Sequence, residues 1–156
     1  MVKNILMVCM VLACSYCSGQ SKPENAPNYD APLAQKLGAD EYGMKTYIMV
    51  FLKAGPNRVK DSVAREQLQK AHLKNIMRLA AEGKLIVAGP FLDDQDIKGI
   101  FIFNVGTVDE AKKLADSDPA VKAGSLIMEL HPWYGSAALI EAAAIHKKIE
   151  KKSAAE

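Results

Sequence analysis

A chain of 156 residues has the length of one domain. With 49% hydrophobic and 24% charged residues it has the composition of a globular protein with a core, which excludes disordered, collagen-like and coiled-coil classes for the whole. Its 20 Lys and Arg against 18 Asp and Glu leave a formal charge of +2, too small for an extended phosphate footprint, so no nucleic-acid partner is implied.

The N-terminus opens with basic Met1-Val2-Lys3-Asn4, an apolar stretch from Ile5 to Ala13, and then Cys14, the arrangement of an export signal. The apolar run is far shorter than the roughly 20 residues that cross a bilayer as a helix. Val11-Leu12-Ala13-Cys14 looks like a bacterial lipobox, so residues 1–17 are expected to be a signal peptide with Cys14 as the lipidated residue. The protein is then expected to face the periplasm or cell surface, held to the membrane only through a lipid anchor. Leu12 is a less usual residue at its position, and the alternative is plain secretion with a cut after Ser15. Cys9, Cys14 and Cys17 are the full complement of cysteines, so no disulfide framework holds the domain. Residues 18–43, with Pro23, Pro27 and Pro32 among polar residues, read as a tether, with room for a short helical turn at Leu33 to Leu37.

Thr46 to Leu52 is apolar on both alternating faces and is closed by Gly55-Pro56-Asn57, the pattern of a buried strand followed by a turn. Asp61 or Ser62 caps a helix that runs to about Glu82, where Gly83 stops it. Leu85 to Pro90 and Ile100 to Phe103 read as the next strands, joined through Asp93, Asp94, Asp96 and Gly99. Thr107 to Glu110 matches a capping box for a second helix ending near Ala115. A turn at Asp116 to Pro119 leads to a fourth strand, Leu126 to Leu130. The order β-α-β-β-α-β over residues 44–135 predicts an α+β, ferredoxin-like domain with both helices on one face of an antiparallel sheet. Residues 136–156 add a C-terminal helix with Ala138, Ala142, Ile145 and Ile149 on one stripe and a basic end. Two helices cover one face of such a sheet. The apolar second face therefore predicts a second copy, a homodimer forming a dimeric α/β barrel.

The three histidines, His72, His131 and His146, match no zinc spacing, so no metal is expected. There is no phosphate-binding glycine loop and no Gly-x-Ser-x-Gly elbow, and no cofactor is implied. Leu68, His72, Ile76 and Leu79 follow helical spacing and turn an imidazole toward the sheet. One reading is a core-edge histidine bonded to a backbone carbonyl; the other is a general acid or base with a carboxylate beside it. Asp118 is a candidate carboxylate, although an aspartate before a proline also reads as an N-cap. Asp93, Asp94 and Asp96 are alternatives in a solvated loop.

His72-Leu73, Glu82-Gly83-Lys84-Leu85, Ala88-Gly89-Pro90 and Asp116-Ser117-Asp118-Pro119-Ala120-Val121-Lys122-Ala123-Gly124 together resemble the YCII-related (YciI-like) family over residues 44 to 135. The resemblance implies the ferredoxin-like fold, the dimeric α/β barrel, and a pocket centred on a histidine and an aspartate. These map to His72 and to Asp118, with Asp94 as second choice; Gly89, Pro90 and Phe91 are expected to line the pocket. Some relatives are dehydrochlorinases of chlorinated aromatics, and the wider superfamily includes muconolactone isomerases and small-ring oxygenases. The expected function is a cofactor-independent lyase or isomerase in which His72 moves a proton on a small organic molecule and Asp118 orients the ring. The alternative is a non-catalytic small-molecule-binding or envelope accessory lipoprotein. A third reading, a haem-binding or oxygenase relative, would give the purified protein a visible absorbance. The exported N-terminus, the Gly38 to Lys45 approach and the His131-Pro132-Trp133-Tyr134-Gly135 end depart from the compact family pattern.

Overall fold

In the computed structural model, residues 28–153 are described. The export signal with Cys14 and the first part of the expected tether lie outside the described residues. Strands β1 (Met44–Ala54), β2 (Leu85–Pro90), β3 (Ile97–Phe103) and β4 (Leu126–Ser136) form one antiparallel sheet in the order β2-β3-β1-β4. Helices α1 (Ala31–Leu37), α2 (Ser62–Ala81), α3 (Val108–Ala115), the single turn α4 (Pro119–Lys122) and α5 (Ala142–Ile149) complete the α+β, ferredoxin-like architecture, with a 3-10 turn at Ala137–Glu141.

Register decides which side chains share a face. Val50 lies opposite Phe101 on one side and Leu130 on the other, and Ile48 lies opposite Phe103. These residues, with Leu79 of α2 and Ala111 and Ala115 of α3, make the core. Burying each large apolar side chain contributes about 1.5–3 kcal/mol.

The helix ends follow from local chemistry. Asp61 accepts from the Ala64 amide at 2.8 Å to start α2. At its end Lys84 N–H reaches Leu79 O at 3.0 Å, Gly83 N–H reaches Ala80 O at 3.0 Å, and Gly83 takes φ +67°, a Schellman stop. Thr107 accepts from the Glu110 amide at 3.2 Å, but the Glu110 carboxylate takes Lys84 Nζ at 3.1 Å instead of closing the expected capping box.

Three segments differ in detail from the sequence reading. Within the stretch read as a tether, Ala31–Leu37 is a helix, because Asp30 caps its start, Gly38 (φ +68°) ends it, and Lys36 bonds Glu141 at 2.9 Å. The fourth strand continues to Ser136, through Pro132. A proline lacks the donor a central strand needs, and β4 is an edge strand. The C-terminal segment is a 3-10 turn followed by an eight-residue helix; the turn touches both β1 and β2, so it crosses the sheet. Tyr47 and Ile102, which point away from α2, are accordingly buried, while Met49, Phe51 and Ile100 on that side are half-buried and Ile127 is exposed. Of the expected C-terminal stripe, Ile145 and Ile149 are exposed. Among the described residues no helix is long and apolar enough to cross a membrane.

Candidate functional site

Helical spacing turns His72 inward, and the turn after α3 brings Asp118 over α2 to meet it. His72 Nδ1 lies 2.9 Å from Oδ1 and 2.8 Å from Oδ2 of Asp118. An ionised carboxylate only accepts, so the bond assigns a proton to Nδ1, and in the neutral ring that leaves the lone pair on Nε2. Asp118 is also the N-cap of α4: its Oδ1 accepts from the Ala120 amide at 2.8 Å. The two sequence readings of Asp118, cap and histidine partner, therefore hold at once in one geometry.

Asn75, one turn further along α2, donates from Nδ2 to Asp118 Oδ2 at 3.3 Å. Its Oδ1 accepts from Arg78 Nη2 at 2.9 Å. A guanidinium only donates, so Arg78 fixes which end of the amide faces Asp118. Arg78 also donates to Ser117 Oγ at 3.2 Å and to Glu82 Oε1 at 2.7 Å. Sequence reading missed Asn75, Arg78 and Ser117, although the three-residue steps from His72 to Asn75 to Arg78 signal one helix face.

Beneath the dyad the His72 ring stacks on Phe101, with centroids 6.1 Å apart and planes 23° apart. The side chains of His72 and Asp118 are 11% and 1% exposed. Nε2 has no partner among the described residues, yet no buried side-chain nitrogen or oxygen there lacks one. Nε2 therefore opens to solvent while Nδ1 is locked, the arrangement required of an oriented proton acceptor.

The other sequence candidates lie elsewhere. Asp94 is fully exposed in the loop between β2 and β3, where it pairs with Lys98 at 3.2 Å. Phe91, Asp93 and Asp96 line an open cleft of about 360 Å³ in the same loop. Gly89 and Pro90, at the end of β2, line neither that cleft nor the one nearer His72. The nearer cleft, of about 330 Å³, is walled by Leu68 and Gln69, one turn before His72, and by Ala120, whose amide holds Asp118. Val59, Leu126, Ser125, Arg58 and Arg65 complete it.

A second histidine–carboxylate pair sits on the opposite face of the sheet. His131 Nε2 lies 2.8 Å from Glu129 Oε1, Lys53 also bonds Glu129, and the His131 ring meets Phe51 edge-on at 5.7 Å. The Lys53 bond, then the His131 bond, holds the Glu129 carboxyl below its ordinary range. His146 lies 3.6 Å from Glu150 near the end of α5. No group of three His, Cys, Asp or Glu that could hold a metal ion exists among the described residues.

No curated protein sequence matches the chain. Among solved structures, a 5-chloro-2-hydroxyhydroquinone dehydrochlorinase from Burkholderia phenoliruptrix AC1100, in complex with 2,5-dihydroxybenzoquinone, is 27% identical; the match covers 56% of this chain and 92% of that one, with a TM-score of 0.42. Residues 46–134, more than half of the chain and the whole of the dyad's setting from β1 into β4, match the YCII-related domain, and the chain belongs to that family.

Proposed function

We propose that the protein is a cofactor-independent proton-transfer enzyme, a lyase or isomerase acting on a small organic molecule. In this reading His72 Nε2 takes a proton from carbon or oxygen of the substrate and returns it, while Asp118 fixes the tautomer and stabilises the imidazolium that forms. The observation that carries the reading is the two-oxygen grip on Nδ1, at 2.9 and 2.8 Å, combined with an Nε2 that opens to solvent. Two further elements belong to the proposal. The half-buried Met49 and Phe51 and the exposed Ile127 leave an apolar sheet face for a second copy to cover, which supports a homodimer. Lipid on Cys14 anchors the chain outside the cytoplasm, which rests on the order of residues from Val11 to Cys14.

The test uses the first step that any such reaction shares. Small cyclic ketones, lactones and hydroxylated aromatic acids are incubated with the protein in deuterium oxide, and exchange at carbon is followed by proton NMR. The wild-type protein should catalyse exchange on at least one of them, and His72→Gln, checked for folding by circular dichroism, should lose about 100-fold or more. Equal exchange by the folded variant overturns the role of His72. No exchange on any compound makes the chain a non-catalytic binding protein. Separately, Cys14→Ser should release the protein from membranes, and unchanged membrane association removes the anchor.

A further inference from the structure

The sequence contains three arginines, Arg58, Arg65 and Arg78, and the structure uses them in two different ways. Arg78 is consumed by Asn75, Ser117 and Glu82. Arg58 and Arg65 line the 330 Å³ cleft, which reaches Leu68 and Gln69, one turn before His72, and Ala120, next but one to Asp118, without being lined by His72 or Asp118 themselves; neither guanidinium makes a hydrogen bond or ion pair among the described residues. The nearby acids are already engaged: Asp61 caps α2 through the Ala64 amide, and Glu66 pairs with Lys70 at 2.8 Å. Two permanent positive charges thus face one cleft with no carboxylate set against them.

The loop that carries Arg58 is held firmly. Gly55 N–H donates to Ser125 O at 2.8 Å, Asn57 N–H to Gly124 O at 3.1 Å, Asn57 Nδ2 to Ala123 O at 3.1 Å, and Ser125 Oγ to Asn57 O at 3.0 Å. A Cβ on residue 55 would lie 2.1 Å from Gly124 O, so only glycine permits this approach. Arg58 follows directly from that clamp. The rest of the cleft is apolar where it meets Val59, Leu68 and Leu126. Its size is at the low end for ligand pockets and suits a single small ring rather than a nucleotide.

We propose that this cleft binds a small planar organic acid, its anionic group on Arg58 and Arg65 and its apolar ring against Leu68 and Leu126. The proposal names the substrate class for the proton-transfer reading and rests on that reading for its chemical role. Guanidinium groups pair with carboxylates through two parallel bonds, and their charge favours electron density released onto the substrate when a carbon-bound proton leaves.

The probe is salicylate, with salicylamide as its uncharged counterpart and inorganic phosphate as an anion without a ring, each titrated into the full chain and followed by calorimetry. Salicylate should saturate a single site, and salicylamide should bind about 10-fold more weakly or less. Arg58→Ala and Arg65→Ala, both on exposed side chains, should each weaken salicylate about 10-fold while leaving the circular dichroism spectrum unchanged. Equal binding of the amide, or unchanged affinity in both variants, overturns the proposal. Phosphate binding as tightly as salicylate overturns the assignment to a ring-bearing acid. The two readings fail separately. Arginine-dependent salicylate binding without any deuterium exchange sinks proton transfer and keeps the cleft; exchange that survives Arg58→Ala and Arg65→Ala sinks the cleft and keeps the dyad.

Discussion

Two histidine–carboxylate pairs flank the same sheet at the same 2.8 Å closest approach, and they are physically unlike. His72 and Asp118 are 11% and 1% exposed, over a stacked phenylalanine, with every oxygen of the carboxylate engaged. His131 and Glu129 are 48% and 45% exposed, and Lys53 shares the carboxylate. Distance alone does not make a functional pair. In the buried pair the bond is unscreened and sets one tautomer; in the exposed pair water and salt compete for both partners. The YCII-related domain thus carries one pair that is buried and fully bonded and one whose side chains meet water on an otherwise apolar face.

The largest test of this contrast lies in the phenylalanines under each pair. Phe101 is buried beneath His72, and Phe101→Ala should cost about 3–5 kcal/mol through the cavity it leaves. Phe51, half-buried beside His131, should cost about 1 kcal/mol in a single chain. Urea unfolding at two protein concentrations measures both. A Phe51→Ala loss that equals that of Phe101→Ala at every concentration would erase the difference between the faces, whereas a loss that shrinks on dilution toward the single-chain value points to a second copy on Phe51.

The carboxylates give the next test. Asp118→Ala strands His72 Nδ1–H and the Asn75 amide, both buried, and removes the cap of α4, so it should cost about 3 kcal/mol. Glu129→Ala should leave the unfolding midpoint where it is, since its partners return to water. Thermal melts at low and high salt distinguish them. A midpoint for Asp118→Ala that matches wild type would mean the dyad's bonds are replaced by solvent, and the argument for an oriented imidazole would fall with it.

Much of this was legible in the sequence because it is written in periodicity. Apolar runs on both faces of Thr46–Leu52 and the stripe Leu68, His72, Ile76, Leu79 specify a sheet with a helix over it, and with it an inward His72. The partner was harder to read. Asp118 is 46 residues away, and its local pattern, aspartate before proline, describes a cap equally well. Only the tertiary packing of α4 on α2 makes it both. Asn75 and Arg78 were legible by spacing, but polar residues on a long amphipathic helix carry no mark that separates a network from a solvated flank. The expected pocket at Gly89, Pro90 and Phe91 illustrates the opposite problem. A glycine-proline strand end signals a break in the sheet, not which cleft it borders, and the cleft nearer the dyad is built instead from the α2 start and the loop after α4.

The smallest effect tests the edge where the approach segment joins β4. Asp40 accepts from the Tyr42 and Met44 amides, both at 2.9 Å, and from the Tyr134 hydroxyl. The Tyr134 bond, then the Met44 amide, lowers the Asp40 carboxyl from 3.8. The same bond to Asp40 pushes Tyr134 up from 10.0 to about 12. A depressed acid stabilises above its unfolded value and loses that contribution as pH falls through the folded one; a raised phenol stabilises below its unfolded value and loses it as pH rises through the folded one. The contact is therefore complete between about 4 and about 10 and fades on either side. Both groups are well solvated, so the effect belongs in a titration rather than a melt. In an ultraviolet titration of tyrosinate, one component should titrate near 12 and disappear in Tyr134→Phe, while Asp40→Asn should move it down toward 10. Tyr47, whose burial also raises its phenol, should be unaffected by either change. A Tyr134 component that titrates at the ordinary value in the wild-type protein would mean that the β4 extension and the approach segment are joined by backbone bonds alone, such as Ala137 N–H to Gly43 O at 3.0 Å.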